Sequence, residues 1–114
     1  MTIKLYHNPR CSKSRQTLTL LEQRGHQPEI IKYLETPPDA DTLKRIIAAL
    51  GLSAHDLIRQ GEAVYKELGL SPDLPEQRLV EAMASEPRLI QRPIVINGDQ
   101  ARIGRPPETV LEIL

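Results

Sequence analysis

Strand and helix patterns alternate over about the first thirty-five residues of the chain. Ile3–Tyr6 is a short apolar run, and Asn8-Pro9 interrupts it. The stretch Ser12–Arg24 has no proline or glycine, and Gly25 follows it as an expected helix cap. Glu29–Tyr33 then has the character of a second strand. A strand, a helix and a strand within this length predict a right-handed βαβ unit with parallel strands.

The middle of the chain, roughly residues 38–87, has helical patterns only. Apolar residues at helical spacing predict a helix over Leu43–Leu50. Ser53–Asp56 has the pattern of a capping box, which predicts a short helix that carries Arg59. A third helix is expected around Glu62–Leu68, and Pro75 opens a fourth. The residues expected on the buried face of this fourth helix are Leu79, Val80 and Met83.

Strand patterns return near the end of the chain. Ile94–Ile96 is β-branched throughout, Asn97–Asp99 is a tight-turn signal, and Ala101–Gly104 can pair back as a hairpin. A short terminal helix that includes Val110, Leu111 and Leu114 is expected after Pro106-Pro107. The element order predicts one α/β domain over residues 1–114, with a mixed sheet and an all-helical insertion between its second and third strands.

Composition limits the class of protein. The formal net charge is zero, which argues against a nucleic-acid binder, and the absence of Phe and Trp requires an aliphatic core. No apolar run approaches the about 20 residues that span a bilayer, and MTIKLYH does not resemble a signal peptide. The single cysteine excludes an internal disulfide and a metal site built from several thiolates. We therefore expect a cytoplasmic protein that binds neither membranes nor metals.

That single cysteine, Cys11, is expected at the N-terminus of the first helix. Unpaired backbone N–H groups and the helix dipole stabilise an anion there, whether a thiolate or a bound oxyanion. Arg10, Lys13 and Arg15 add positive potential, and His7 adds a group that can be protonated. The alternative is that Cys11 is a small buried core residue. The polar neighbours and the preceding Asn-Pro break favour a reactive thiol.

Three further arginines can complete an anion site. The candidates Arg59, Arg92 and Arg105 carry forked donors that suit a tetrahedral oxyanion, although each alone can equally be a solvated surface residue. Arg92 precedes Pro93 just before the third strand, a place where thioredoxin-like proteins commonly have a cis peptide bond. Ser14 stands where a C-x-x-C motif would have its second thiol, so an adduct on Cys11 needs an external thiol for its release.

Five segments of the sequence resemble one family. HNPRCSKSR, YLETPP, LIRQGEAVYKELGL, LIQRPIVING and GRPPETVLEIL are similar to the corresponding segments of the arsenate reductases that use glutathione and glutaredoxin. The similarity covers essentially the whole chain. It implies a thioredoxin-like fold with a helical insertion, which agrees with the element order above.

The resemblance also implies roles for individual residues. Cys11 matches the cysteine that attacks arsenate, and His7 matches a histidine that assists its ionisation. The residues matching the oxyanion-holding set are Arg59, Arg92 and Arg105. Supporting positions in the same motifs are Asn8, Ser14, Arg15 and Pro93. The implied reaction joins arsenate to Cys11, then glutathione to the arsenic, and glutaredoxin completes the reduction to arsenite, with no bound cofactor.

Two other functions remain open on the sequence alone. The first is a glutathione-dependent thiol-disulfide reductase of the same fold that acts on a substrate other than arsenate. The second is a regulator that binds RNA polymerase, like Spx-type proteins of the same superfamily. Those regulators carry a C-x-x-C switch, whose second thiol Ser14 replaces here. A small fold with no catalytic activity would require an ordinary pKa for Cys11.

Overall fold

A computed structural model describes residues 2–114 of the protein. It contains two compact units, of which the first comprises the chain up to Thr36 together with Arg92–Leu114, and the second is Pro37–Gln91. The first unit holds a mixed four-stranded sheet and the second is helical, so the predicted α/β fold with a helical insertion is confirmed. A single domain over residues 1–114 stays a prediction.

The sheet of the first unit has the strand order β2-β1-β3-β4. β1 (Ile3–Tyr6) pairs in parallel with β2 (Glu29–Ile31), while β3 (Ile94–Asn97) is antiparallel to both β1 and β4 (Gln100–Ile103). The parallel β1–β2 pair was predicted, but β2 ends at Ile31 rather than at Tyr33. The reason is a turn in which the Lys32 carbonyl accepts hydrogen bonds from the amides of Glu35 and Thr36.

The core of the first unit is aliphatic, as the composition required. α1 (Ser12–Gln23) contributes Leu21, which packs with Ile3, Leu5, Val95, Val110 and Ile113. The chain after the sheet is a 3₁₀ helix, Pro107–Ile113, whose buried apolar residues include Val110 and Ile113. The predicted terminal helix is thus a 3₁₀ helix, whose period of three residues brings Ile113 onto the face of Val110, and Leu114 is exposed.

The register of the strands brings four chain segments to one edge of the sheet. Tyr6, the last residue of β1, lies opposite both Ile31 of β2 and Ile94 of β3. Ile94 in turn lies opposite Ile103, the last residue of β4. The segments that follow β1, β2 and β4 and the segment that precedes β3 therefore all lie at the same ends of the strands. We call this side of the sheet the active edge.

The second unit contains three helices and two 3₁₀ turns. α2 (Ala40–Leu50) packs against α4 (Glu76–Ser85), and α3 (Ala63–Glu67) lies between them in sequence. The predicted capping box exists: Ser53 donates its amide and its hydroxyl to the Asp56 carboxylate, at 3.2 and 2.9 Å. The element that follows is only a 3₁₀ turn, His55–Leu57, so the prediction that Arg59 lies on this helix was wrong.

A 3₁₀ turn at Pro87–Leu89 had no counterpart in the sequence analysis. Within residues 2–114, no helix is long and apolar enough to cross a membrane.

Candidate active site

Cys11 is the residue that precedes α1, as predicted, and its backbone is extended. The thiol is the chain's only one and is nearly buried, with 8% of the residue exposed. The loop before it is short because the Cys11 amide donates to the Asn8 carbonyl at 3.0 Å. β1 ends at Tyr6, so this loop leads from the active edge directly to the start of the helix.

Arg105 and Arg92 both reach the neighbourhood of the Cys11 sulfur. Arg105 Nη2 donates to Cys11 Sγ at 3.6 Å, and Arg105 Nε donates to the Arg92 carbonyl at 2.7 Å. The Arg92–Pro93 peptide bond is cis, as predicted, and so is Arg105–Pro106, for which we had no prediction. The antiparallel pairing of β3 with β1 and β4 thus brings these two arginines close to Cys11, although they lie far from it in the sequence.

The surroundings of Cys11 lower the pKa of its thiol. Burial by itself raises this pKa, but the hydrogen bonding and charge of the Arg92 guanidinium act in the opposite direction. The backbone amides of Ser14 and Lys13, at the first turn of α1, lower it further. The net effect is a lowered pKa, so the thiolate is populated at a lower pH than in an ordinary cysteine.

His7 and Ser14 form a buried pair behind the thiol loop. His7 Nδ1 and Ser14 Oγ are 2.6 Å apart, and the Asn8 amide donates to the same Ser14 oxygen at 3.0 Å. Burial lowers the pKa of His7, with further lowering by the charges of Lys32 and Arg15. The structure therefore favours a neutral imidazole at pH 7. In this form His7 adds no positive charge beside Cys11.

The other supporting residues hold the loop and the arginine-bearing segments together. Arg15 Nη1 donates to the Pro9 carbonyl at 2.9 Å, across the loop that contains Cys11. Pro93 is buried, and its carbonyl accepts a hydrogen bond from the Gly104 amide at 2.9 Å. A Cβ atom on Gly104 would lie 2.5 Å from Thr17 Oγ1 and 2.8 Å from Pro93 Cγ. Gly104 and Thr17 are contacts that our sequence analysis missed.

Arg59 lies in the helical unit. Its Nη1 pairs with Glu62 Oε1 at 2.7 Å, and its amide donates to the Leu89 carbonyl. The chain segment of Arg59 is held next to the segment of Leu89 by this bond and by the reciprocal bond from the Gln91 amide to the Leu57 carbonyl. A role for Arg59 in holding an oxyanion stays a prediction.

Tyr33 is a residue of the active edge to which the sequence analysis gave no role. It follows β2 by two positions and is fully buried. Arg92, Cys11 and Asn8 all influence the pKa of its hydroxyl, which places these groups around the phenol. The signal in the sequence was a tyrosine close to the end of a strand that leads to this edge, a position from which its hydroxyl can reach the site.

The site can therefore stabilise a thiolate and attract an anion. Two guanidinium groups and the start of a twelve-residue helix act on one small region around Cys11. Among residues 2–114 there is no group of three or more His, Cys, Asp or Glu side chains arranged to hold a metal ion. The chemistry offered by the described residues is nucleophilic attack by sulfur on a bound oxyanion.

Known proteins resemble this chain over nearly all of its length. The sequence profile of the ArsC family matches residues 6–113. The uncharacterized protein YfgD of Escherichia coli K12 is 55% identical, over 98% of this chain and 96% of that protein. An arsenate reductase of Neisseria meningitidis is 50% identical, over 98% of this chain and 97% of that protein. The solved structure of an arsenate reductase from Vibrio cholerae has a TM-score of 0.97 at 53% identity, covering 100% of this chain and 98% of that one.

Proposed function

The chain belongs to the ArsC family, and on that basis we propose that it is an arsenate reductase whose nucleophile is Cys11. One observation carries the proposal beyond the family: the Cys11 sulfur receives a hydrogen bond from Arg105 at 3.6 Å and lies where Arg92 lowers its pKa. An arsenate reductase needs a thiolate and a cationic oxyanion site at the same place.

The first step is attack of the Cys11 thiolate on the arsenic atom of arsenate. A sulfur–arsenic bond forms and one arsenic–oxygen bond breaks, and the departing oxygen leaves as water after taking up a proton. Arsenic stays in the +5 state in this step. Arg92 and Arg105 stabilise the thiolate before the attack and the oxyanion charge during it, because fixed donors in a buried site need little reorganisation.

The second stage requires two thiols from outside the chain. The thiol of glutathione displaces a second oxygen from the arsenic as water, which gives a mixed adduct. A glutaredoxin thiolate then attacks the glutathione sulfur, and the electron pair of the breaking sulfur–arsenic bond reduces arsenic to the +3 state. Hydrolysis releases arsenite and regenerates Cys11. Ser14 replaces the second thiol of a C-x-x-C motif, so we assign both reducing thiols to glutathione and glutaredoxin.

We place this reaction in the cytoplasm. The cycle consumes reduced glutathione, and the catalytic residue is a thiol that must stay reduced between turnovers. Cell fractionation tests the location: recovery of the protein with a cytoplasmic marker supports it, and recovery with a periplasmic or secreted marker contradicts it.

Arsenite formation is the direct test of the proposed function. With arsenate, glutathione and glutaredoxin present, the wild-type chain should form arsenite and Cys11→Ser should form none. We expect Arg92→Ala and Arg105→Ala each to lower kcat/KM by about a hundredfold, as for removal of one oxyanion donor elsewhere. Arg88→Ala is the matched control, since Arg88 pairs with Glu86 on the surface of the helical unit. Absence of arsenate-dependent turnover, where the Vibrio cholerae relative is active, would contradict the proposal.

A second candidate is a thiol-disulfide reductase that acts on glutathionylated proteins. The lowered pKa of Cys11 favours this reaction too, because thiolate attack on a disulfide needs no oxyanion. The two functions differ in their dependence on Arg105, whose forked donors suit an oxyanion more than a disulfide. If Arg105→Ala leaves deglutathionylation intact and the wild type forms no arsenite, the second function is the correct one.

A further inference from the structure

We propose that the Tyr33 hydroxyl and Arg92 Nε are two further donors of the oxyanion site, and that Tyr33 donates a hydrogen bond directly to an oxygen of bound arsenate. This inference rests on the proposed function, and it assigns substrate contact to a residue outside the cysteine and arginine set.

The register of the sheet places Tyr33 at the active edge. β2 ends at Ile31, opposite the last residue of β1, and the amide of His7 donates to the Ile31 carbonyl at 2.8 Å. The segment that begins at Lys32 therefore leaves the sheet beside the segment that leads to Cys11. Arg92 enters the same edge from β3, because Ile94 lies opposite Tyr6.

Both proposed donors are buried and have no hydrogen-bond partner among the described residues. Tyr33 is 0% exposed, and its hydroxyl oxygen makes no hydrogen bond within residues 2–114. Arg92 Nε is also buried and has no hydrogen-bond partner among these residues. Buried donors without partners are rare in folded proteins, because removal from water is not compensated. Two of them on neighbouring residues of one site indicate a shared ligand with acceptor atoms.

The electrostatics keep the phenol in its donor form. Burial raises the pKa of Tyr33, the nearby Arg92 guanidinium and Asn8 side chain lower it, and the Cys11 charge raises it, with a net rise. A raised pKa means that Tyr33 stays protonated at neutral pH. The group can therefore donate a hydrogen bond beside a thiolate without bringing a negative charge to the site.

A tetrahedral oxyanion fits this pair of donors. Arsenate presents several oxygen acceptors in different directions, and a guanidinium supplies planar donors to them. A phenol O–H at another angle can bind an oxygen that the planar donors do not reach.

The test compares Tyr33→Phe with the wild-type chain, and Tyr65→Phe is the matched control. Tyr65 loses the same hydroxyl, but its oxygen bonds to His55 Nε2 at 2.8 Å in the helical unit. Calorimetric titration with inorganic phosphate, an unreactive tetrahedral oxyanion, should show Kd raised about tenfold or more by Tyr33→Phe and little changed by Tyr65→Phe. KM for arsenate should rise in parallel.

Two further measurements separate substrate contact from other roles. The thermal midpoint of ligand-free Tyr33→Phe should equal or exceed that of the wild type, because the hydroxyl has no partner to lose. The pKa of Cys11, measured by thiolate absorbance, should change little. A lower midpoint indicates a structural bond, and a raised Cys11 pKa with unchanged phosphate Kd indicates donation to the sulfur; either result overturns the inference.

The assay for arsenite tests the proposed function separately from the phosphate titration, which tests the role of Tyr33. If the wild type binds phosphate but forms no arsenite, the proposed function fails and the ratio of phosphate Kd values still decides the role of Tyr33. An unchanged Kd in Tyr33→Phe with arsenite formed by the wild type overturns the inference and leaves the function standing. Failure of the wild type to bind either oxyanion overturns both.

Discussion

The lowered pKa of Cys11 depends on a residue that lies far from it in the sequence. Burial of the thiol opposes ionisation, and the guanidinium of Arg92 with the first amides of α1 more than offsets that effect. Arg15, which is close to Cys11 in sequence, has a different role: its guanidinium donates a hydrogen bond to the Pro9 carbonyl and so holds the loop. The lowered pKa of the thiol thus requires both the start of α1 and the arginine that the folded sheet brings to it.

Removal of the Arg92 charge should raise the pKa of Cys11. We expect the rate of alkylation by iodoacetamide, measured against pH, to shift to higher pH in Arg92→Gln, towards the ordinary cysteine value of about 8.5. The wild-type rate should level off at a lower pH, because the folded protein lowers this pKa. Arg102→Gln is the control, since the Arg102 guanidinium pairs with the exposed Glu112 carboxylate at 2.9 Å. Superimposable profiles for Arg92→Gln and the wild type would contradict this account.

Gly104 should tolerate no side chain. The Cβ of Gly104→Ala would overlap Thr17 Oγ1 and Pro93 Cγ, and both neighbours are buried. We expect the free energy of unfolding to fall by about 1–3 kcal/mol, the usual range for overpacking. Because Pro93 adjoins Arg92, kcat/KM should fall as well. Gly61→Ala, where a Cβ meets nothing within 4 Å, should change neither quantity. Chemical denaturation and the arsenite assay measure both effects.

The helices differ in how far the sequence specifies them. α2 has apolar residues at helical spacing, an Asp39 cap whose side chain accepts from the Thr42 amide at 2.8 Å, and a left-handed Gly51 at its end. All these signals agree, and the predicted helix exists. The elements that departed from prediction are short: β2, the turn after Ser53 and the 3₁₀ helix after Pro106. Their ends are set by turns and by tertiary packing, which no local periodicity contains.

The cap of α2 should respond to both mutation and pH. Asp39→Ala removes the acceptor of the Thr42 amide, so the thermal midpoint should fall, whereas Asp39→Asn should keep most of the stability. The hydrogen bonds from Thr42 lower the pKa of Asp39. Its contribution is therefore present above the carboxyl pKa of the unfolded chain and is lost as pH falls through the lower folded value. The difference in midpoint between wild type and Asp39→Asn should accordingly narrow in acid; a difference that grows would contradict the sign.

At the scale of the whole molecule, the predicted α/β fold with a helical insertion is confirmed, whereas the assignment of residues to the site stays a prediction. Cys11, Arg92 and Arg105 were chosen as candidates from the sequence motif and from the chemistry of their side chains. The sheet register brings their segments together. The neutral state favoured for His7, the role of Gly104 and the burial of Tyr33 could not be predicted. Each depends on a contact between segments distant in sequence, such as Gly104 with Thr17.

Oxyanion binding should stabilise the entire fold. An anion that binds only the folded state adds about 2.7 kcal/mol to the free energy of unfolding at a hundred times its Kd. We therefore expect phosphate to raise the thermal midpoint of the wild type in a concentration-dependent way. The increase should be much smaller in the double variant Arg92→Gln/Arg105→Gln, compared at constant ionic strength with chloride. An equal increase in both proteins would show that phosphate acts as a general salt.

The active edge is assembled from segments that lie far apart in the chain, and their order has a consequence during translation. During translation Cys11 leaves the ribosome before Arg92 and Arg105, and Arg105 follows it by 94 residues. Until β3 and β4 join β1, the thiol lacks the charges that ionise it and has the modest reactivity of a cysteine in an unfolded peptide. We therefore expect the Cys11 thiol to ionise readily only once the sheet is complete, and the thiol of an unfinished chain to react more slowly with oxidants.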